Sequence, residues 1–313
     1  MIVLYLHTEL TPLDLFFIIL PVLIIFGIGF IGQKLIGFDI KSISTAALYL
    51  MSPFLAFRTF YTNPLNMDYI YIIAFCLILT VALFAVVWIT DKLMGATMPQ
   101  MSAMILGGVF MNSGNYGAPV VLFAFGAIGF DYAVVMMVFQ SLLMNTIGIF
   151  FASLGGEEKA TLHESFQRVI RMPLIYAAFL GVGMQAIHVD LPQPLMEGIS
   201  MVADASIPTV MLVLGMQLAA IQRKRVAYRY VTAVTIIRMI ASPIIAMVIL
   251  LFMPVNDLLR SVLILQTAMP AAANTTMFAL QFGTEPDLVS FTTFITTIIS
   301  IVTIPIVLFF LGV

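Results

Sequence analysis

The sequence predicts an all-α integral membrane protein whose ten transmembrane helices form two inverted five-helix repeats. Three observations carry that prediction. Of 313 residues, 62% are hydrophobic and 9% charged, where an ordinary soluble domain carries about 25% charge. The apolar residues fall into ten runs near the length that spans a bilayer, about 20 residues. Residues late in the chain also repeat the pattern of residues about half a chain earlier.

The runs cover approximately 13–36, 42–61, 69–90, 99–125, 130–154, 173–189, 195–221, 230–253, 258–282 and 288–312. All are expected to be helices, because backbone in lipid must satisfy its own hydrogen bonds and the runs lack the alternation of barrel strands. The first has no basic residue before it and no small-residue cleavage site after it, and so reads as a retained span. Its Gly27-Ile28-Gly29-Phe30-Ile31-Gly32 matches a dinucleotide fingerprint, but inside a membrane helix close helix packing explains it. The second run carries Pro53. The third holds Cys76, which is alone, so neither a disulfide framework nor a cysteine metal site can form.

The fourth run contains Met111-Asn112-Ser113-Gly114-Asn115-Tyr116-Gly117-Ala118-Pro119. A continuous helix is poor there: each Gly costs about 1 kcal/mol relative to Ala and Pro about 3. The fifth run carries Gln140, Asn145 and Thr146, and a short loop, 156–172, separates it from the sixth. The seventh includes Asp204 and Pro208, the eighth Arg238. The ninth is broken by Pro270-Ala271-Ala272-Ala273-Asn274-Thr275-Thr276, one turn after Gln266. The tenth carries Thr292, Thr293, Thr296, Thr297, Ser300 and Thr303. Hydroxyls bonding back one turn, or a polar stripe along a cation or substrate path, both account for it. Asn274-Thr275-Thr276 also matches a glycosylation site, to which bilayer depth denies access.

Pro53 recurs as Pro208, an offset of 155, and Phe125-Gly126 as Phe282-Gly283, an offset of 157. Thr146 recurs as Thr303, also at 157. The units are therefore 1–155 and 173–313 with the loop between them. Five helices per unit turn the second upside down, an architecture of secondary transporters with the substrate site at the midplane. Two polar breaks at corresponding positions are the best pointer to such a site.

Ten Lys and Arg flank the odd-numbered loops (Lys34, Lys41, Lys92, Lys159, Arg168, Arg171, Arg223, Lys224, Arg225, Arg229), and two, Arg58 and Arg260, the even-numbered ones. The positive-inside rule then puts the odd loops in the cytoplasm and both termini outside the plasma membrane. The net charge of −2 offers no basic face for nucleic acid. His7, His163 and His188 lie at or outside span ends, so no histidine metal cluster or aspartyl pair can assemble and an enzyme is not expected. No cofactor is expected, and nothing resembles the filter of an ion channel.

The stretch from Asn112 to Pro119 followed by Phe125-Gly126, with Pro270 to Asn274, Phe282-Gly283 and the Thr-rich last run, resembles the auxin efflux carrier family. The resemblance implies a fold related to bile acid sodium symporters. Spans 4 and 9 would be broken helices that cross within a mobile domain, and spans 1, 2, 6 and 7 a scaffold. Bacterial members are described as carriers of malate, malonate or other organic acids, and the short central loop resembles theirs more than that of the plant carriers. The expected substrate is a small organic anion, with H+ or Na+ coupling open, a facilitator or channel as the alternative, lipid as a partner and room for a homodimer. Asn112, Ser113, Asn115, Asn274, Thr275, Gln266 and Arg238 are the expected substrate or ion contacts. Gly114, Gly117, Pro119 and Pro270 are expected to keep the helices open.

Two charges inside spans have alternatives. Arg238, about 12 Å from the cytoplasmic end at 1.5 Å per residue, either snorkels to that surface or serves as counter-charge to a carboxylate. Asp204, about 10 Å from the outer end, either starts a helix or couples protons. An Asp204–Arg238 pair needs tilt to close an offset of about 8 Å in a core of about 30 Å.

Overall fold

The computed structural model describes residues 12–64, 66–156, 167, 170, 172–221 and 226–313, with side chains from residue 16. Lys159, Arg168, Arg171, Arg223, Lys224 and Arg225, most of the loop 156–172, and His7 and His163 lie outside the described residues. The described chain is helical, apart from one antiparallel bridge between Met111 and Ala271.

The segments are α1 Pro12–Ile36, α2 Ile40–Thr62, α3 Met67–Met94, α4 Met98–Gly108, α5 (113–125), α6 (127–155), α7 Pro173–Ala186, α8 Gln193–Ala220, α9 Tyr228–Leu251, α10 Asp257–Thr267, α11 Ala273–Phe282 and α12 Pro286–Leu311. Among the described residues, seven helices are long and apolar enough to cross a membrane, with α5 and α6 counted as one element of 43 residues. A straight helix of that length would measure about 65 Å, twice a bilayer core. It breaks at Gly126, whose φ of 69° is a conformation glycine adopts without a Cβ clash. Gly283, which follows Gly126 by 157 residues, is likewise left-handed, φ 71°, and ends α11. The runs 99–125 and 258–282 thus each fold as two helices, and the run 173–189 as the 14-residue α7.

The outer surface is apolar: Leu93 and Phe252 are 83% and 84% exposed, and Leu35, Phe179 and Leu251 also point outward. Many serines and threonines, among them Ser52, Ser206, Thr267, Thr296 and Ser300, lie inside with Asn112 and Asn115. In water such a surface would aggregate, whereas in lipid the arrangement is stable.

α1 runs along α8, and α2 packs on α7 and α8. A Cβ on Gly29 would lie 2.2 Å from the Leu212 carbonyl oxygen, and one on Gly215 2.1 Å from that of Phe26. The missing side chains let the two helices touch backbone to backbone. Of the glycine run in α1, Gly29 alone has this packing role; a Cβ on Gly27 would meet nothing within 4 Å and one on Gly32 only the Phe38 ring at 3.5 Å. α3 to α6 and α9 to α12 pack chiefly among themselves: α10 on α5 and α6, and α4 against α6, α9 and α12.

Four turns are widened to i→i+5 spacing: Ala47–Met51, Ser113–Gly117, Met144–Gly148 and Ile237–Ala241. Three are followed by a proline, at 53, 119 and 243. A proline has no N–H and its ring crowds the carbonyl four residues back; those residues, Tyr49, Asn115 and Met239, all lie in widened turns. In the fourth, Asn145 Nδ2 and Thr146 Oγ1 bond back to the carbonyls of Ser141 and Leu142, each at 2.8 Å.

Candidate functional site

The two breaks meet. Between α4 and α5 the chain is extended around Phe110–Asn112, and between α10 and α11 around Pro270–Ala272, and the two stretches run antiparallel. Asn112 N donates to Pro270 O at 2.8 Å, and Ala272 N to Phe110 O at 3.0 Å. Thr296 of α12 pins the crossing: its hydroxyl donates to Thr292 O at 2.8 Å and accepts from Ala271 N at 3.2 Å. One residue of the threonine row thus both bonds back and holds the break. Ser300 Oγ lies 3.1 Å from Tyr116 OH of the widened turn, while Thr303 Oγ1 has no partner.

Four half-helix ends converge on this crossing. α4 and α10 end there with their carbonyls, and α5 and α11 start there with their amides. A helix end carries roughly half a unit charge, positive at the N-terminus, so the starts of α5 and α11 favour an anion.

Beside the crossing lies a cavity of about 740 Å³, within the usual range of small-ligand sites. Asn112, Ser113, Gly114, Asn115, Pro119 and Asn274 line it. Asn112 is 4% exposed, and its Nδ2 is a buried donor without a partner. Ser113 O accepts weakly from Gln266 Nε2 at 3.4 Å. Asn274 is half-buried. Asn145 also lines the cavity, as does Gln140, whose buried amide has no oxygen or nitrogen partner and lies beside the Cys76 thiol.

The other expected residues stand behind the wall. Thr275 is buried with its hydroxyl on Ala272 O at 2.7 Å. Gln266 is buried beneath the widened turn, where a Cβ on Gly117 would lie 2.2 Å from its Oε1. Pro270 supplies the carbonyl that Asn112 binds.

Arg238 does not snorkel: it is 0% exposed. Its Nη1 donates to the carbonyls of Gly108 and Val109 at 3.2 and 3.1 Å, and its Nη2 to Thr267 O at 2.8 Å and to the Ser242 hydroxyl. Nor does it meet Asp204, which instead accepts from Arg58 Nη1 at 2.6 Å. Arg58 lies within α2, so a residue read as a loop charge is the partner of the one carboxylate placed inside a span.

The cavity also has residues with no sequence signal of their own. Ser52 and Ser206 approach to 3.3 Å on its wall, one before Pro53 and two before Pro208, so the repeated proline was the available clue. Gln217, with its Oε1 buried and unpaired, is a third.

The cavity extends to Lys41, Met172, Ile221 and Asp287, all beside odd-numbered loops. At this end Asp39 caps α2, accepting from Lys41 N at 3.2 Å. The Ser42 hydroxyl beside it holds the Asp39 carboxyl below the usual carboxylate range.

The even-numbered loops meet at the other end, where side chains are tied together. Tyr61 OH donates to Val189 O at 2.9 Å and accepts from Leu191 N at 3.0 Å. Gln185 Nε2 donates to Tyr61 O and Asn63 O at 3.0 and 2.7 Å. Tyr132 OH donates to Asp68 at 2.6 Å.

The sequence model of the family described as "Membrane transport protein" matches residues 15–308. A protein of Methanothermobacter thermautotrophicus named "Uncharacterized transporter" is 24% identical over 92% of this chain and 95% of its own. A "Putative malonate transporter" of Rhizobium meliloti is 22% identical over 92% of each chain.

Proposed function

The chain belongs to the Membrane transport protein family, and on that premise we propose that it is a secondary transporter. Its substrate is a small organic anion of the dicarboxylate class, moved across the plasma membrane by alternating access. The twelve segments are read as ten spans, α4 with α5 and α10 with α11 each making one, in two inverted repeats. Asn112, Ser113, Asn115 and Asn274 bind the anion, and the cavity mouth beside Lys41 and Asp287 is the cytoplasmic entrance.

The observation that carries this reading is the buried, unpartnered Asn112 amide on a cavity wall where two half-helices begin. Neutral amides and helix starts can solvate a carboxylate without leaving a fixed charge in the empty site. That matters because the unloaded carrier must also change state, and an unpaired charge at the bilayer centre costs several kcal/mol. The malonate transporter named among the relatives supports a dicarboxylate.

Uptake of labelled dicarboxylates into proteoliposomes, with and without sodium and pH gradients, tests the proposal. Saturable uptake of at least one is expected. A single-channel conductance in a planar bilayer would instead make the protein a channel.

A further inference from the structure

The charge of Arg238 has no counter-ion among the described side chains. Its guanidinium touches three carbonyl oxygens and one hydroxyl, and no carboxylate. A bare cation in the centre of a membrane protein needs an account, and the three carbonyls supply one. Gly108 and Val109 end α4, and Thr267 ends α10. Each helix end carries roughly −0.5 charge, so the two together come to about −1 and balance one guanidinium.

Unwound carbonyls and half-helix C-terminal ends are the features with which broken-helix transporters hold a coupling cation. Here a side chain fills that position, donating to both ends at once through its two terminal nitrogens. Arginine suits the task because its fork spans two acceptors and does not lose its proton. Ser242 adds a further link by donating to Thr267 O at 3.0 Å, while the third guanidinium nitrogen, Nε, is buried without a partner. Pro243 and the widened turn Ile237–Ala241 offset α9 at this level, on the element that carries the arginine.

We infer that Arg238 is the protein's own cation at the crossing: it holds the ends of α4 and α10 together where a diffusible ion would otherwise bind, so translocation needs no sodium at that position. Arg238 is accordingly a positioning residue, behind the cavity wall and not on it. The inference rests on the transporter reading for its bearing on transport, but its structural core does not.

The test therefore begins without transport, on the purified protein in detergent. The wild-type melting temperature is expected to coincide in sodium, potassium and choline chloride at equal ionic strength. A higher value in sodium alone would overturn the inference. Arg238→Ala is expected to melt lower and to recover with added guanidinium chloride but not with choline; a monodisperse variant that guanidinium does not restore counts against it. Should that variant not purify, Arg238→Lys, which keeps the charge without the fork, is compared with Arg238→Met. The lysine is expected to melt between wild type and Met, and equal melting of the two variants would show that the charge is not what matters.

Malonate uptake into proteoliposomes adds the second readout. Wild-type uptake is expected to be the same when sodium is replaced by choline, and Arg238→Ala to lose at least about tenfold, since removing one member of a buried charged contact is strongly destabilising. A tenfold fall in wild-type uptake on removing sodium would contradict the inference. If malonate is not carried at all, the substrate proposal fails while the melting series still decides the role of Arg238.

Discussion

Asn112 is the residue on which the binding proposal turns. Its backbone is consumed by the crossing, N–H to Pro270 and carbonyl to Gly117, while its side-chain nitrogen Nδ2 remains buried without a partner, on a residue of the cavity wall. Hydrogen bonds to a charged partner contribute about 1.5 to 3 kcal/mol. Asn112→Ala and Asn274→Ala should therefore weaken malonate binding by roughly tenfold to a hundredfold. The Asp variants should bind more weakly still, because they set like charge against the carboxylate. Titration of the purified variants checks this, and wild-type affinity in both Asp variants would remove the site from the crossing.

Residue identity was legible at the asparagines and misleading at the charges. Two Asn, two Gly and a Pro in an apolar run announce a break because a helix tolerates none of them well. Arg58 and Asp204 are 146 residues apart, and no local pattern joins them. The partners of Arg238 are mainly backbone carbonyls, which every residue carries, so its position could be read from the sequence but not its role.

At the scale of elements, the prolines decide where helices open. Pro119 follows the widened turn Ser113–Gly117, and Pro270 sits in the extended stretch between α10 and α11. Replacing either by Ala restores an N–H and removes the ring clash, so a helix can grow into the break at the expense of the antiparallel bridge. Both variants should insert and stay monodisperse in detergent while losing uptake. Normal uptake by both would make the prolines ordinary kinks.

α2 offers an independent check at its start. Asp39 caps it, and its carboxyl titrates below its ordinary value because of Ser42. A carboxyl lowered by folding adds stability above its unfolded pKa, near 4, and that stability is lost as pH falls through the folded value. Asp39→Ala should thus melt below wild type at neutral pH, and the difference should shrink and then vanish as the pH falls below the ordinary Asp value and through the lowered one. A difference unchanged in acid would mean that the carboxylate is not the cap. Neither this cap nor the widened turns were foreseen: helix runs are visible as hydropathy, but a turn of i→i+5 spacing changes no composition.

For the whole molecule, the proposed inverted arrangement makes a claim about sides. With Cys76 replaced, single cysteines near Thr8 and near Lys224 should be labelled from opposite faces by an impermeant thiol reagent. Labelling from one face would contradict the orientation and the inversion together. The number of spans was only partly legible. Hydropathy counts apolar residues and finds ten runs, while length in the folded chain finds seven full helices, because runs 4 and 9 are spent on half-helices and run 6 on the short α7.

The central claim is that the crossing serves a carrier that opens alternately to the two sides. Counterflow measures this most directly: proteoliposomes are loaded with unlabelled malonate, and labelled malonate is supplied outside. A carrier exchanges one for the other, so the label should rise transiently above its equilibrium level, and the overshoot should disappear in Asn112→Asp. A label that climbs to equilibrium without overshoot, at a rate indifferent to the malonate inside, would contradict alternating access.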